Sequence, residues 1–313
     1  MERARWRDRF GPPSLFMTTA LLIAAAFPAA LTIGPPAAAS GPSAAACRAF
    51  DGPAAISRAA NTARAAEASV RGEAQLSALG ELTGRRLSLQ TAAGISVDVT
   101  LPPESFVAPA TGNVVVYGLN SAASGSEVHA IDLATGCDLI LARPVGIVRS
   151  ALLDQAGSAL FVHAVTGAGR HDAGITRHDL ATGATVPAVP ALPASELFGL
   201  TFGTELRWSL DGSSLAVQSC GIGYCRTRIL DTATGAVETV DEPGHGPLVG
   251  LTARTLFVFQ ELHVLPSPLL AIDRQSGLLT RVAEEVFDAS LAQVGTNAVL
   301  TIETTAGKLE VTE

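Results

Sequence analysis

IDLATGCDLI (131–140), HDLATGATV (178–186), LDTATGAVETV (230–240) and IDRQSGLLT (272–280) are four copies of one phrase. In each, a short apolar run ends in an Asp, and Thr or Ser followed by Gly closes a turn into the next alternating stretch. The Asp residues, Asp132, Asp179, Asp231 and Asp273, lie 47, 52 and 42 positions apart. The residue types specify a capped turn: Gly reaches positive φ without steric cost, and the Asp and Thr side chains accept from nearby backbone amides. Weaker echoes surround Gly94 and Gly307.

A second signal precedes each tag: ATGNVVVYG (110–118), DQAGSALFVHAV (154–165), DGSSLAVQSC (211–220), TARTLFVFQ (252–260) and, near the end, GTNAVLTIE (295–303). Each is a turn followed by an apolar strand. A unit of about 40–50 residues with four short strands has the period of a β-propeller blade. Helical repeats of that length would space apolar residues by three and four, whereas these segments alternate or run solidly apolar. The expected fold is all-β: a β-propeller of about six four-stranded blades, with five and seven left open.

The ends are less regular. An Ala-rich stretch at 54–67 reads as one helix, Ala68 to Leu76 alternates as a strand, and 85–101 reads as a hairpin around Ala93-Gly94. The last segment, NAVLTIETTAGKLEVTE (297–313), is short of strands for a blade. An N-terminal strand is expected to complete it, because ring closure removes an open sheet edge.

WSLDGSSLA (208–216) resembles the W-S-P-D-G-x-x-L-A repeat of TolB-like propellers, with Leu210 in the place of Pro. The Asp-x-x-Thr-Gly tags resemble those of the broader secreted group of TolB-like and YncE-like propellers. The resemblance spans roughly residues 105–305. It implies a periplasmic or extracellular propeller that serves protein interaction, and it specifies blade architecture rather than an activity.

The N-terminus adds a location. Arg3, Arg5, Arg7 and Arg9 precede the apolar run LFMTTALLIAAAFPAALTI (15–33) and the small-residue stretch AAASGPSAAAC (37–47). This is the form of a secretory signal peptide. A retained anchor is the other reading, since the run is just long enough to span a bilayer. The expected organisation is a leader at 1–46, an N-terminal extension at 47–67 and a propeller at 68–313. Membrane association enters only through an uncleaved leader or a lipid on Cys47. The four cysteines fit an oxidising compartment. Cys220 and Cys225 flank a Gly-containing turn suited to a short disulfide, and Cys47–Cys137 is the preferred second pair over acylation of Cys47.

Across 313 residues the chain is 48% hydrophobic with a net charge of −8, which excludes a disordered chain and disfavours a nucleic-acid partner. No phosphate loop, nucleophile elbow, zinc spacing or calcium loop occurs, so no cofactor, metal or catalytic residue is assigned. His171-Asp172 and His178-Asp179 read as loop and turn residues, and Ser124, Ser126, Glu104, Glu196, Glu205 and Glu261 as loop polars. The segments 171–178, 187–208 and 241–250 read as connections, where binding residues gather on a rigid scaffold. From them, Phe202, Glu205, Arg207, Trp208 and Tyr224 form the candidate recognition surface, although Trp208 also suits a packed position. The expected function is that of an exported, non-enzymatic propeller binding a protein, peptide or cell-envelope component through its loop face. The alternative is a lyase or hydrolase with dispersed residues in a central funnel.

Overall fold

The computed structural model describes residues 47, 50–62, 69–76, 82–91, 96–121, 125–166, 171–192, 203–220, 225–260, 265–294 and 296–312. One short helix, α1 (Pro53–Ala60), precedes a run of antiparallel meanders. The first sheet holds β1 (Ser69–Leu76), β2 (Leu82–Gln90) and β3 (Ser96–Leu101). The second holds β4 (Phe106–Val107), β5 (Val114–Ser121), β6 (Gly125–Asp132) and β7 (Asp138–Ala142). The third comprises β8 (Ile147–Leu153), β9 (Ala159–Thr166), β10 (His171–Asp179) and β11 (Thr185–Val189). The fourth comprises β12 (Gly203–Trp208), β13 (Ser214–Cys220), β14 (Cys225–Asp231) and β15 (Val237–His245). The last sheet has six strands: β16 (Leu248–Leu251), β17 (Thr255–Phe259), β18 (Ser267–Asp273), β19 (Leu279–Val294), β20 (Asn297–Thr304) and β21 (Gly307–Thr312).

All four tags form the same turn, between the third and fourth strands of their meanders. Asp231 Oδ1 accepts from the amides of Ala233 (3.0 Å) and Thr234 (2.8 Å) and from the Thr234 hydroxyl (2.9 Å). Asp273 repeats this with Gln275, Ser276 and the Ser276 hydroxyl at 3.1, 2.8 and 2.8 Å. Gly235 has φ 73° with open space where a Cβ would stand, so the backbone conformation, not crowding, requires glycine. The amides and hydroxyls hold the carboxyls of Asp179, Asp231 and Asp273 below the usual range. The preceding signal is the hairpin turn between first and second strands, where Asp154 caps Ser158 and Asp211 caps Ser213.

Successive sheets pack face on face. Leu87 and Leu101 of the first sheet meet Val115, Tyr117 and Ile131 of the second. One large core joins the second, third and fourth sheets through Val116, Leu160 and Leu215. Ile229 and Ala216 pack on Leu256 and Leu270, and Phe257 and Leu269 pack on Leu300 and Ile302. A second strand is therefore covered on both faces, and all seven residues of β13 are buried. This explains why these strands read as solid apolar runs rather than alternating ones.

The inner edges of the sheets meet. Pro109–Thr111 after β4, Leu152 of β8, Leu206–Trp208 of β12, Val249–Leu251 of β16 and Leu291 of β19 line one cavity of about 180 Å³. The second, third, fourth and last sheets thus border a shared centre.

Three expectations are corrected. The segments 171–178 and 241–250 are strands, not connections: β10 covers the first, and β15 and β16 most of the second. In β10 the irregular register between Asp172 and Ile175, with Gly174 at φ 77°, absorbs the polar residues within the ladder. Nor, among the described residues, does an N-terminal strand complete the last sheet. Among the described residues β1 pairs only with β2, and β21 is an edge. The six-stranded sheet arises because β19 runs unbroken for 16 residues, pairing with β18 up to Val286 and with β20 from there. Its sequence has no Gly, Pro or Asn to interrupt it, and Glu285, at φ 47°, marks the change of partner.

α1 seals one rim. The Ser57 hydroxyl and Asn61 Nδ2 donate to Ala156 O (2.7 and 2.9 Å), and the Asn113 amide donates to Ala59 O (3.0 Å). Gly112 and Gly157 admit the helix, since a Cβ at either would collide with Ala60. Disulfides join Cys47 to Cys137 and Cys220 to Cys225. The helix is shorter than the Ala-rich stretch, whose residues 63–67 lie outside the described set. Among the described residues no helix is long and apolar enough to cross a membrane.

Candidate functional site

Glu205, Arg207 and Trp208 lie on β12, a strand rather than the expected loop, and strand alternation divides them. Glu205 and Arg207 share one face and form an ion pair. Burial raises the Glu205 carboxyl above its usual range, and the Arg207 charge and hydrogen bond oppose that rise without cancelling it. Trp208 faces the third sheet: its indole N–H donates to Leu153 O at 2.7 Å, and its ring stands edge-on to Phe161 at 5.3 Å. It is a packed blade residue that also borders a cleft of about 470 Å³ with Arg177, Asp154 and Asp231. Phe202 and Tyr224 lie outside the described residues, as do Ser124, Glu196 and Glu261. Ser126 is a buried residue of β6, bonded to Asn120 Oδ1 at 2.8 Å, rather than a loop polar.

Two polar clusters were not singled out by sequence. In the first, the fully buried Asp172 carboxylate binds His163 Nε2, accepts from Arg228 Nη2 (3.0 Å) and from the amides of Leu192 (2.6 Å) and Gly174 (3.2 Å). Arg228 also donates to Pro190 O, so the third and fourth sheets are joined through charge. Burial alone would raise the Asp172 carboxyl. The His163 hydrogen bond and the charges of His163 and Arg228 outweigh it, and the group titrates at about 2. A charged residue inside an apolar strand run was the available signal, as in CRTRILD (225–231).

In the second cluster His129 lies between carboxylates, Nδ1 at 3.2 Å from Asp138 and Nε2 at 3.3 Å from Glu127. Tyr117 stacks on the imidazole (4.8 Å) and donates its hydroxyl to Asp138 at 2.8 Å. Arg143 pairs with Glu127 at 3.0 Å. Burial works against the imidazolium, but Asp138 and Glu127 together hold its pKa above the ordinary value. A raised pKa contributes stability that is complete below the unfolded-state value of ~6.5 and is lost as pH rises through the folded-state value. His129→Gln is expected to lower stability by about 1 kcal/mol at acidic pH. The deficit should shrink on moving to alkaline pH in urea titrations of both proteins. Among the described residues no group of His, Cys, Asp and Glu has the arrangement of a metal site.

Antiparallel meanders packed face on face, four of them bordering one cavity, define a β-propeller, and the architecture resembles that of TolB-like propellers. No protein-family model matches the chain, and no curated protein is similar to it in sequence. Among solved structures it is similar to TolB from Acinetobacter baumannii (15% identity, TM-score 0.45, 73% of this chain and 60% of that one). It is similar also to a structure from a study of two prolyl endopeptidases (13%, 0.49, 86% and 44%). A third is the β-propeller domain of the Trilobed protease from Pyrococcus furiosus (9%, 0.48, 80% and 79%). The chain therefore spans less than two thirds of the length of the first two.

Proposed function

We propose that this chain is an exported, non-enzymatic propeller that binds a protein, peptide or cell-envelope component through the rim opposite α1. The observation that carries the reading is the central cavity. At about 180 Å³, walled among the described residues by Pro, Ala, Thr, Leu, Val, Gly and Trp with Arg207 as the one charged residue, it is too small and too apolar for a polar small-molecule substrate. Ligand pockets run to several hundred Å³ and converge polar groups on the reacting atoms. We therefore assign recognition to the outer surfaces rather than to this cavity. One rim is occupied by α1 and the Cys47–Cys137 bridge; the other carries Cys220, Cys225 and the start of β12, which Phe202 and Tyr224 adjoin in sequence. Both disulfides support an oxidising, periplasmic or extracellular location, reached through the leader at 1–46.

The test is affinity capture from a cell-envelope fraction with the purified chain and its Phe202→Ala/Tyr224→Ala variant. The reading expects a reproducible captured component and at least about tenfold weaker capture by the variant. Capture equal for the two, or none above background, overturns it. Turnover of peptide or oligosaccharide substrates by the chain would replace it with the lyase or hydrolase alternative.

A further inference from the structure

Strand β21 pairs with β20 from Thr304↔Gly307 to Val299↔Thr312, and among the described residues no strand lies on its other side. All six of its residues are exposed. Two apolar rows run out to this edge: Ala289, Ile302, Leu309 and Leu291, Leu300, Val311. Ile302 and Leu300 are buried, whereas Leu309 and Val311 are 49% and 37% exposed. Val311 also walls a cleft of about 340 Å³, with Phe257 of β17, Ala271 of β18 and Leu291 of β19.

The edge has a definite hydrogen-bonding pattern. The two-residue turn Thr305-Ala306 closes on Thr304 and Gly307, which makes that a hydrogen-bonded pair. Alternation then turns the amides and carbonyls of Gly307, Leu309 and Val311 toward β20, and those of Lys308, Glu310 and Thr312 outward. A second copy joining antiparallel about a two-fold axis must match outward residues with outward residues. Centring the axis on residue 308 sets Lys308 against Lys308, and centring it on 310 sets Glu310 against Glu310. Centring it on Leu309 sets Lys308 opposite Glu310 twice. Leu309 then meets its own counterpart in a non-hydrogen-bonded pair, where side chains approach most closely. Lys308 Nζ pairs with Glu310 Oε1 along the strand at 3.5 Å, and both side chains are more than half exposed, so this surface pair can be exchanged for pairs across the axis.

We propose that β21 is a homodimerisation edge: a second copy of this chain adds its own β21 antiparallel, in the register centred on Leu309, and extends the sheet across a two-fold axis. The contact is isologous and closes on itself, so it ends at a dimer rather than a fibre. The contact uses the outer edge of the last sheet, and its test reads self-association, separately from what the rim opposite α1 captures.

Sedimentation equilibrium of the full-length chain and four variants tests the register. Wild type is expected to dimerise. Lys308→Glu brings two carboxylates face to face at each end of the contact, and Glu310→Lys brings two ammonium groups together there. Each change alone should raise the dissociation constant by about tenfold or more. The double exchange, Lys308→Glu with Glu310→Lys, restores opposite charges and should restore the dimer. An equimolar mixture of the two single variants should form the heterodimer. Leu309→Lys should be monomeric, with circular dichroism unchanged from wild type because the position is already half exposed. A monomeric wild type at 100-fold the working concentration overturns the proposal, as does a dimer indifferent to charge reversal. So does exchange protection of the Lys308 and Glu310 amides in a monomer, which would mean that a strand of the same chain, such as β1, covers the edge.

Discussion

Asp172→Ala is expected to destabilise the protein by about 3–5 kcal/mol, the usual cost of removing one member of a buried ion pair. The carboxylate is fully buried, and it is the point where His163 of β9, Arg228 of β14 and the amides of Gly174 and Leu192 converge. Without it, Arg228 keeps its Pro190 and Ser219 partners but loses the Asp172 carboxylate between two sheets. The decisive comparison is a double-mutant cycle in urea with Arg228→Met. If the loss is that of a stranded charge, the double variant should be more stable than Asp172→Ala alone. Additive losses, or a cost under about 1 kcal/mol for Asp172→Ala, would contradict the network as described. The Asp172 carboxyl titrates at about 2, a depressed value, so its stabilisation is present above the unfolded-state pKa. It fades as pH falls toward that folded-state value.

The two disulfides should differ in worth. Cys47–Cys137 closes 90 residues and Cys220–Cys225 closes 5. If the chief effect is to restrict the unfolded chain, loop length gives about 4–5 kcal/mol for the first and about 2 kcal/mol for the second. The longer bridge also keeps α1 on Ala156 and Asn113, so the Cys47→Ser/Cys137→Ser variant should lose protection in amide exchange at Asn113 as well as global stability. Cys220→Ser/Cys225→Ser should leave that amide unchanged, because its effect stays within the β13–β14 hairpin. Denaturant midpoints that rank the two pairs in the opposite order would count against this account.

What the sequence made legible was the local chemistry that repeats. The tags could be read because a capped turn needs specific atoms: a carboxylate at Asp132, Asp179, Asp231 or Asp273, a hydroxyl three residues on, and a glycine at positive φ. Strands covered on both faces announced themselves through short apolar runs, residues 159–162 of β9 and 215–217 of β13. The partners of inward polar groups were not legible. Asp172 and Arg228 satisfy each other from different sheets, 56 positions apart, and neither strand alone tells whether its charge faces solvent or a partner. For the same reason β10 read as a polar connection and Glu205 as a loop residue. The change of sheet within β19 was equally hidden, since it rests on a bend at Glu285 and not on a turn sequence. Of the candidate recognition residues, the sequence placed Glu205, Arg207 and Trp208 close together and favoured a packed Trp208, but could not name Phe161 as the ring it packs against.

A ring differs from a row of sheets by one distance. Thr111, beside the second sheet, and Leu291, in the last, border the same small cavity, although the third and fourth sheets lie between them in sequence. Spin labels at these two positions, measured by pulsed electron resonance, should lie within about 20 Å of each other, the cavity plus the label arms. If the meanders instead stacked in an open row, intervals of roughly 10 Å per sheet plus the label arms would set the labels about 40 Å apart. That longer distance would contradict the radial arrangement.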